Sequence, residues 1–585
     1  MSPIEAQKRP WTARPRDLDG AREFAAELSI STAVAALLRQ RGVESVEEAQ
    51  QFLKPSLLEL HPPEVIADLE RAVDLIFSAK DRGDSICIYG DYDVDGVTGS
   101  VILLEALTEL GVDARSYIPH RLDEGYGLNL EAVRTLHADG VGLLITVDGG
   151  ANDRAELELA RELGMSVIVT DHHPIEGELA DIPVVHPGRE DAPSPSATLC
   201  GAGVAYKLAW GLGKRAAGGD RVSPRFRSFL EEALALAALG TVADVVPLLG
   251  ENRAIVAHGL RALGRSPRPG LRALLDVCGL EPDRLTSTDI GFKIGPHLNA
   301  AGRMGEVERA VELLRTRDRD RGRVVAAELA TLNRRRKSIE QKMTDECLEE
   351  LEGDLHAAGS GALLFAREGW HSGVAGIVAA RLVDRLHRPV FVVAIDGELG
   401  RGSGRSIPER PLTDLYDAMR PMVASIGGHA CAGGLTLLPD QVDPVRAILA
   451  GSGRGEDGER EELPPQEYDL AIPAEEATLE LVRDLAAMAP FGAGNPEPIF
   501  RVDGLALGRP PRLVGKGEEH LMAQFRHARG TIEAIWFRGA EYAGELIGRD
   551  QRSPGSIDLI ATLSEDRFRG VSRLRAQIID LIPTP

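Results

Sequence analysis

The sequence predicts an α/β protein with two α/β domains joined by a long helix and followed by an all-β module. Three observations carry this. Short apolar runs alternate with amphipathic segments of helical length, first across 85–171 and again across 361–396. A dense basic stretch, RDRDRGRVVAAELATLNRRRKSIEQK within 316–342, separates the two series. Beyond residue 468 the apolar runs are short and alternating, the pattern of half-buried strands.

Residues 1–75 read as a helical lead-in. ISTAVAALLRQRG places apolar residues at helical spacing, and Pro55 breaks the pattern. SICIYG (85–90) reads as a strand and VTGSVILLEALTELG (97–111) as a helix ending at a glycine. VGLLITVD (141–148) is a second strand, RAELELARELG (154–164) a helix, and MSVIVTD (165–171) a third strand. Strands alternating with helices of this length imply parallel βαβ units.

After the basic helix, GALLFA (361–366), GVAGIVAARLVDRLH (373–387) and PVFVVAID (389–396) repeat the alternation. GSGRGEDGEREELPPQE (451–467) is rich in glycine, proline and charge and reads as a linker. HLMAQFRH, TIEAIWF, SIDLIATLSE and RLRAQIIDLI supply the strands of the last module. The expected division is 1–75 lead-in, 76–315 first α/β domain, 316–345 connecting helix, 346–450 second α/β domain, 451–467 linker and 468–585 all-β module.

A chain of 585 residues exceeds what one core serves. Its apolar and charged fractions, 43% and 27%, exclude a disordered or membrane-embedded chain. The start, MSPIEAQKRPWTARPRD, lacks the apolar core of a secretory signal. No stretch reaches the roughly 18 apolar residues of a membrane span. The five cysteines are odd in number and form no CxxC pair, which argues against disulfides and a zinc–thiolate site. The expected compartment is reducing, the cytoplasm. A net charge of −23 lacks the basic footprint of a nucleic-acid binder, so any such contact must be local, in a lined groove.

Three of the predicted strands end in acids: GDYDVDG (90–96), TVDGG (146–150) and TDHH (170–173). In an open parallel sheet, ligands bind at the carboxyl ends of the strands. Asp91, Asp93, Asp95, Asp148, Asp171, His172 and His173 are therefore expected around one crevice. A single aspartate after a strand is ordinarily a turn former or helix cap; three such strand ends in register are a different matter. So many carboxylates repel one another unless cations are present. Oxygen ligands favour magnesium, manganese or calcium, and admixed imidazole moves the preference toward manganese. Two such ions, bridged by a carboxylate such as Asp148, would serve phosphoryl displacement by water. A dinucleotide or P-loop site is excluded, because GDYDVDGVTG has neither GxGxxG nor GK[ST]. The acids point to a phosphoester without choosing which.

GDYDVDG, TVDGG, TDHH and TVADVVPL (241–248) resemble the four motifs of the DHH phosphoesterase superfamily. GPHLNAAGRM (295–304), WHSGVAGIVAARL (370–382), GSGRS (402–406), GGHACAGG (427–434) and PFGAGNPEP (490–498) extend the likeness to its bacterial single-strand-specific exonucleases. The resemblance implies a DHH domain, a DHH-associated domain and a C-terminal OB-fold. It implies 5′-to-3′ hydrolysis of single-stranded DNA to mononucleotides with Mn2+ or Mg2+ (two ions) in DNA repair and recombination. Single-strand-binding protein and a helicase are the partners it brings to mind, and no membrane.

By the same resemblance, Asp93, Asp95, Asp148, His172 and Asp244 are metal ligands, and His173 lies near the scissile phosphate. Asp171 orients a histidine, and Asp91 matches a motif position without being a ligand. Arg121, Arg303, Ser403 and Arg405 match the pocket for the 5′-phosphate, and His429 lies in the GGHA segment that faces the cleft. Arginine suits such a pocket because its planar fork binds phosphate oxygens in pairs. Two positions depart from the pattern. Tyr89 stands where many relatives carry a histidine, leaving the first metal with fewer protein ligands. His297 stands where an arginine is common, which weakens a phosphate contact there. Arg334, Arg335, Arg336 and Lys337 are expected to line a DNA groove, and Phe525, Trp536 and Phe537 are stacking candidates in the last module.

Overall fold

The Ser85–Gly90 strand buries Ile86, Cys87, Ile88 and Tyr89 in succession, as a strand covered on both faces must. In the computed structural model it lies second in a five-stranded sheet. The order is Ala114–Tyr117, Ser85–Gly90, Val141–Val147, Ser166–Thr170, Val184–Val185, paired in parallel throughout. The structure describes residues 10–15, 17–121, 124–125, 127–353, 361–452, 465–552, 557–568 and 571–582. The start of the expected lead-in (1–9) and most of the expected linker (453–464) lie outside them.

Register decides where the acids stand. Gly90 pairs with Val147, and the ladder continues one step past the strands. Asp91 N donates to Val147 O (3.2 Å), Asp148 N to Thr170 O (3.0 Å) and Asp171 N to Val185 O (3.2 Å). Three aspartates are thereby held side by side along the carboxyl edge. The helix Val94–Glu109 rises from this edge, and every residue from Val94 to Leu107 is buried. Helices Gly201–Ala217 and Pro224–Ala243 pack on it. Gly99 permits the approach: a Cβ there would lie 2.7 Å from Val147 Cγ1 and 3.2 Å from Ala202 Cα.

The helix Arg319–Gly353 runs 35 residues. It packs on Pro269–Cys278 and Gly295–Arg303, and farther along buries Met343, Cys347 and Leu351 with Phe365, Val374 and Val378. Arg334, Arg335 and Lys337 are exposed on it, whereas Arg336 is buried and paired with Glu340 at 3.4 Å. Arg336 therefore does not line an open groove: the helix turns it inward, where an ion pair offsets its burial.

The second sheet of this unit has the order Ser425–Gly428, Ala432–Leu437, Leu399–Arg405, Val390–Asp396, Leu363–Glu368. Only its Leu363–Glu368 and Val390–Asp396 pair is parallel. The helix Ser372–Leu386 covers it.

A second compact unit comprises the described parts of 9–61, 245–258 and 463–585. Strands follow the order Leu470–Pro473, Phe500–Val514, His520–His527, Gly530–Trp536, Val571–Leu581, Ile557–Phe568. Pairing of Phe500–Val514 with Ile557–Phe568 closes them into a barrel, in agreement with the expected OB-fold. Its core takes in Val34, Leu37 and Leu38 of the helix Thr32–Gln40 together with Phe500, Phe525 and Ile557. The lead-in helices up to Leu53 are thus part of the barrel's packing, whereas the helix Leu69–Arg82 belongs to the first unit. Buried Arg253 is a pin in the same unit. Its guanidinium donates to the carbonyls of Phe52 (2.7 Å), Met488 (2.9 Å), Ala489 (2.8 Å) and Pro490 (3.2 Å). Phe525 is fully buried, and Trp536 is buried with its ring stacked on Tyr542 at 4.1 Å. Both belong to the core, where apolar packing outweighs availability to a base. Phe537, half exposed beside His520, keeps its ring accessible.

Among the described residues, no helix is long and apolar enough to cross a membrane.

Candidate active site

Asp93 caps the helix Val94–Glu109: its Oδ1 accepts from Asp95 N (2.8 Å) and Gly96 N (3.1 Å). Asp95, in the first turn, receives Gly201 N on Oδ2 (2.6 Å) and Ala202 N on Oδ1 (2.9 Å). One carboxylate thus meets the positive start of a second helix. Asp148 adopts the left-handed conformation with φ of 63°, which aspartate tolerates better than most residues. Asp244 follows the helix Pro224–Ala243 as its carboxyl cap.

His172 gathers these acids. Its Nε2 lies 3.1 Å from Asp148 Oδ1, 3.6 Å from Asp244 Oδ2 and 3.8 Å from Asp95 Oδ2. Asp171 organises the two histidines. Its Oδ1 accepts from His172 N (2.7 Å), His173 N (3.1 Å) and His173 Nδ1 (2.8 Å), and its Oδ2 from Ala151 N (3.0 Å). Four donors leave Asp171 little capacity for a metal, and it titrates below the ordinary carboxylate range: burial would raise it, but the hydrogen bond and charge of His173 and the amide donors lower it further.

Three triplets place one potential ligand atom each within 4.8 Å of the others: Asp148, His172 and His173; Asp95, His172 and Asp244; Asp91, Asp93 and Asp148. Every metal ligand expected by resemblance is therefore in one cluster, together with His173 and with Asp91. Asp91 Oδ1 is buried without a hydrogen-bond partner, a costly arrangement for a carboxylate and the kind of orphan that a cation satisfies. Burial and then the Asp93 charge push Asp91 up to about 8; burial and then Asp95 push Asp244 up to about 8. Asp93 and Asp148 are raised by the same two causes. His173 reaches about 9, because the bond to Asp171 and the surrounding carboxylates outweigh the burial that opposes them. A cluster that resists its own ionisation fits divalent cations.

Tyr89 does not enter this cluster. Its hydroxyl donates to Gly127 O (3.0 Å), and its ring stacks on Tyr117 at 5.2 Å.

A second charge cluster lies in the same unit. Arg303 Nη1 donates to Gly373 O (3.2 Å) at the start of the helix Ser372–Leu386. Burial, then the nearby Arg121, Arg336 and Arg405, push Arg303 down to about 9. Arg405 is lowered by burial and by Arg121. A Cβ on Gly376 would meet Arg405 Nη2 at 3.0 Å and Ser403 Oγ at 3.3 Å, so glycine admits both groups to the helix. Arg121 lies over the Tyr92 ring, 4.5 Å from its centroid, which ties this cluster to the acid loop. Cations held together beside a helix N-terminus have the chemistry to receive an anion. All four residues expected at the 5′-phosphate thus fall in one place. His429 sits exposed on the turn between Ser425–Gly428 and Ala432–Leu437, and His297 Nδ1 is 2.6 Å from Lys293 O.

Two features were not readable beforehand. The double duty of Asp95 has no local signal, since its partner Gly201 lies 106 positions away. The closeness of Asp91 to Asp93 and Asp148 depends on the turn after Gly90, which the spacing alone leaves open.

The sequence matches the family models for the DHH family N-terminal domain over 85–241, the DHHA1 domain over 359–450 and the RecJ OB domain over 468–580. It is 34% identical to the single-stranded-DNA-specific exonuclease RecJ of Bacillus subtilis over 579 residues, covering 98% of this chain and 71% of that protein. With RecJ of Escherichia coli it shares 37% over 530 residues, covering 87% and 88%. The crystal structure of RecJ from Thermus thermophilus in complex with Mn2+ superposes with a TM-score of 0.80 at 30% identity, covering 99% of this chain and 79% of that one. A second structure from that organism carries Mg2+. With matching domains in the same order and this identity along nearly its whole length, the chain belongs to the RecJ family of DHH phosphoesterases.

Proposed function

We propose that this chain is a single-strand-specific DNA exonuclease that works from the 5′ end and releases mononucleotides by metal-assisted hydrolysis. The observation that carries the reading is the adjacency of two opposite sites in one unit: buried acids with a carboxylate oxygen lacking a partner, and arginines gathered at a helix start. The first suits cations and the second a terminal phosphate. Tyr92 and Arg121 join them.

Asp93, Asp95, Asp148, His172 and Asp244 would hold two ions, Mn2+ or Mg2+ as in the solved relatives. Asp91 would complete the set where Tyr89 supplies no ligand. When bound, such ions activate water and stabilise the attacking and leaving oxygens. Asp171 keeps His173 oriented through Nδ1, and the raised proton affinity of that ring lets it hold a proton at Nε2 beside the scissile phosphate. Arg121, Arg303, Ser403 and Arg405 would take the 5′-phosphate, and His429 would contact the strand.

The domain limits we assign are 76–315 for the DHH domain, with 245–258 given over to the second compact unit, 316–345 for the connecting helix, 346–450 for the DHH-associated domain and 468–585 for the OB-fold. The substrate is single-stranded DNA with a 5′ end. A cytoplasmic setting fits the five unpaired cysteines. Single-strand-binding protein and a helicase would supply the strand in repair and recombination. Asp93→Ala tests the reading: turnover of a 5′-phosphorylated single strand with Mn2+ should vanish while the circular dichroism spectrum stays. Undiminished turnover would refute it.

A further inference from the structure

We infer that Phe292 is a base-stacking platform for the strand downstream of the scissile phosphate. The inference rests on the exonuclease reading above and adds a residue that neither the metal centre nor the phosphate pocket contains.

Phe292 is 78% exposed, which leaves most of its ring open to a stacking partner. It stands on a π-helical turn, Ile290–Ile294, a rare distortion that recurs at functional sites. The turn runs straight into the helix Gly295–Arg303, and the combined rod lies along the metal centre. A Cβ on Gly295 would lie 3.9 Å from Ala243 Cβ, next to Asp244. Asn299 Oδ1 accepts from Val94 N (3.1 Å), next to Asp93, and Gly302 abuts the carbonyl of Tyr92. Arg303 ends the rod in the arginine cluster. Phe292 lies at the opposite end, about 16 Å away at 1.5 Å per helical residue.

A strand with its 5′-phosphate at Arg303 that passes the metal centre along this rod reaches Phe292 after a few nucleotides. The long helix brings cations toward that end. Lys293, next to Phe292 in the chain, is exposed but paired with Asp289 at 2.8 Å. Arg334 and Lys337 of the long helix, by contrast, are exposed and near His297, whose proton affinity burial lowers first and these cations, with Arg336, lower further. An exposed aromatic with a basic helix nearby is the combination that binds single strands without base preference.

The test uses the full chain with Phe292→Ala and Phe292→Trp. On 5′-phosphorylated oligonucleotides long enough to pass the rod, KM for Phe292→Ala should rise about five- to a hundredfold, the range of one base–aromatic stack, and Phe292→Trp should restore it. A 5′-phosphorylated dinucleotide is too short to reach the ring, so its hydrolysis should be unchanged. In an Asp93→Ala background, 2-aminopurine placed along the strand should be quenched at one position several nucleotides from the 5′ end, and the quench should vanish with Phe292→Ala. Equal losses on dinucleotide and long strand would reveal a structural role and overturn the inference. Unmoved KM and quenching, as expected of a protein-docking surface, would overturn it too. If the wild-type chain degrades no single strand, the exonuclease reading itself falls, a result separable from indifference to Phe292.

Discussion

Asp171 Oδ1 accepts from His173 Nδ1 at 2.8 Å while also receiving the backbone amides of both histidines. A partner of this kind fixes the ring and its tautomer, and losing one typically costs ~10–100-fold in activity or metal affinity. Asp171→Asn should therefore lower kcat by that order and move the proton loss of His173 down from about 9. Carbon-13 spectra of labelled histidine across pH would report the shift. An unmoved titration would mean that other carboxylates, and not Asp171, raise it.

The acid cluster links stability to pH. Asp91 and Asp244 lie at about 8 in the folded, metal-free protein, against about 3.9 in an unfolded chain. Between those values the folded state binds more protons at these two groups than the unfolded one, so their contribution to stability is full below about pH 4 and is lost as pH rises through 8. The unfolding midpoint of chelator-treated protein should fall by several degrees between about pH 5 and about pH 8. Added Mn2+ should abolish the fall, and Asp244→Asn should shrink it. A flat midpoint in the chelated wild type would contradict the electrostatic account.

The arginine cluster predicts a preference for phosphorylated ends. Arg405→Ala should reduce turnover of 5′-phosphorylated strands by about tenfold or more, in line with a lost charge-assisted contact, and leave 5′-hydroxyl strands nearly unaffected. Equal losses on both ends would remove the phosphate assignment. Because Arg121 and Arg303 repel Arg405, the substitution should not lower the melting temperature by much.

In the barrel, exposure separates two phenylalanines. Phe525→Ala removes a fully buried ring from the core and should cost about 3–5 kcal/mol, visible in denaturant unfolding. Phe537→Ala, half exposed, should leave stability alone and weaken single-strand affinity in fluorescence anisotropy. Unchanged affinity would assign the Phe537 ring to the surface of the barrel and no more.

Much of this was legible because the main signals are local. SICIYG, VGLLITV and SVIVT are uninterrupted apolar runs, and each became a strand of the parallel sheet. The acids that follow them occupy one edge because parallel register carries Gly90 level with Val147. What stayed hidden depends on long-range closure. Nothing near Asp95 announces that it caps a helix more than a hundred residues later. Nothing in the lead-in sequence says that Leu37 and Leu38 pack with Phe525. Trp536 and Phe525 looked as available as Phe537, since alternation along a strand gives the face and not its neighbour. Arg336 looked like its basic neighbours until the helix turned it toward Glu340.

The central claim is tested most directly by following products from a 5′-phosphorylated strand labelled at either end, with and without metal. With Mn2+ or Mg2+ the wild-type chain should release mononucleotides from the 5′ end and spare a blunt duplex, and chelation should stop it. Cleavage of the duplex, release from the 3′ end, or hydrolysis confined to pyrophosphate or cyclic dinucleotides would contradict the account.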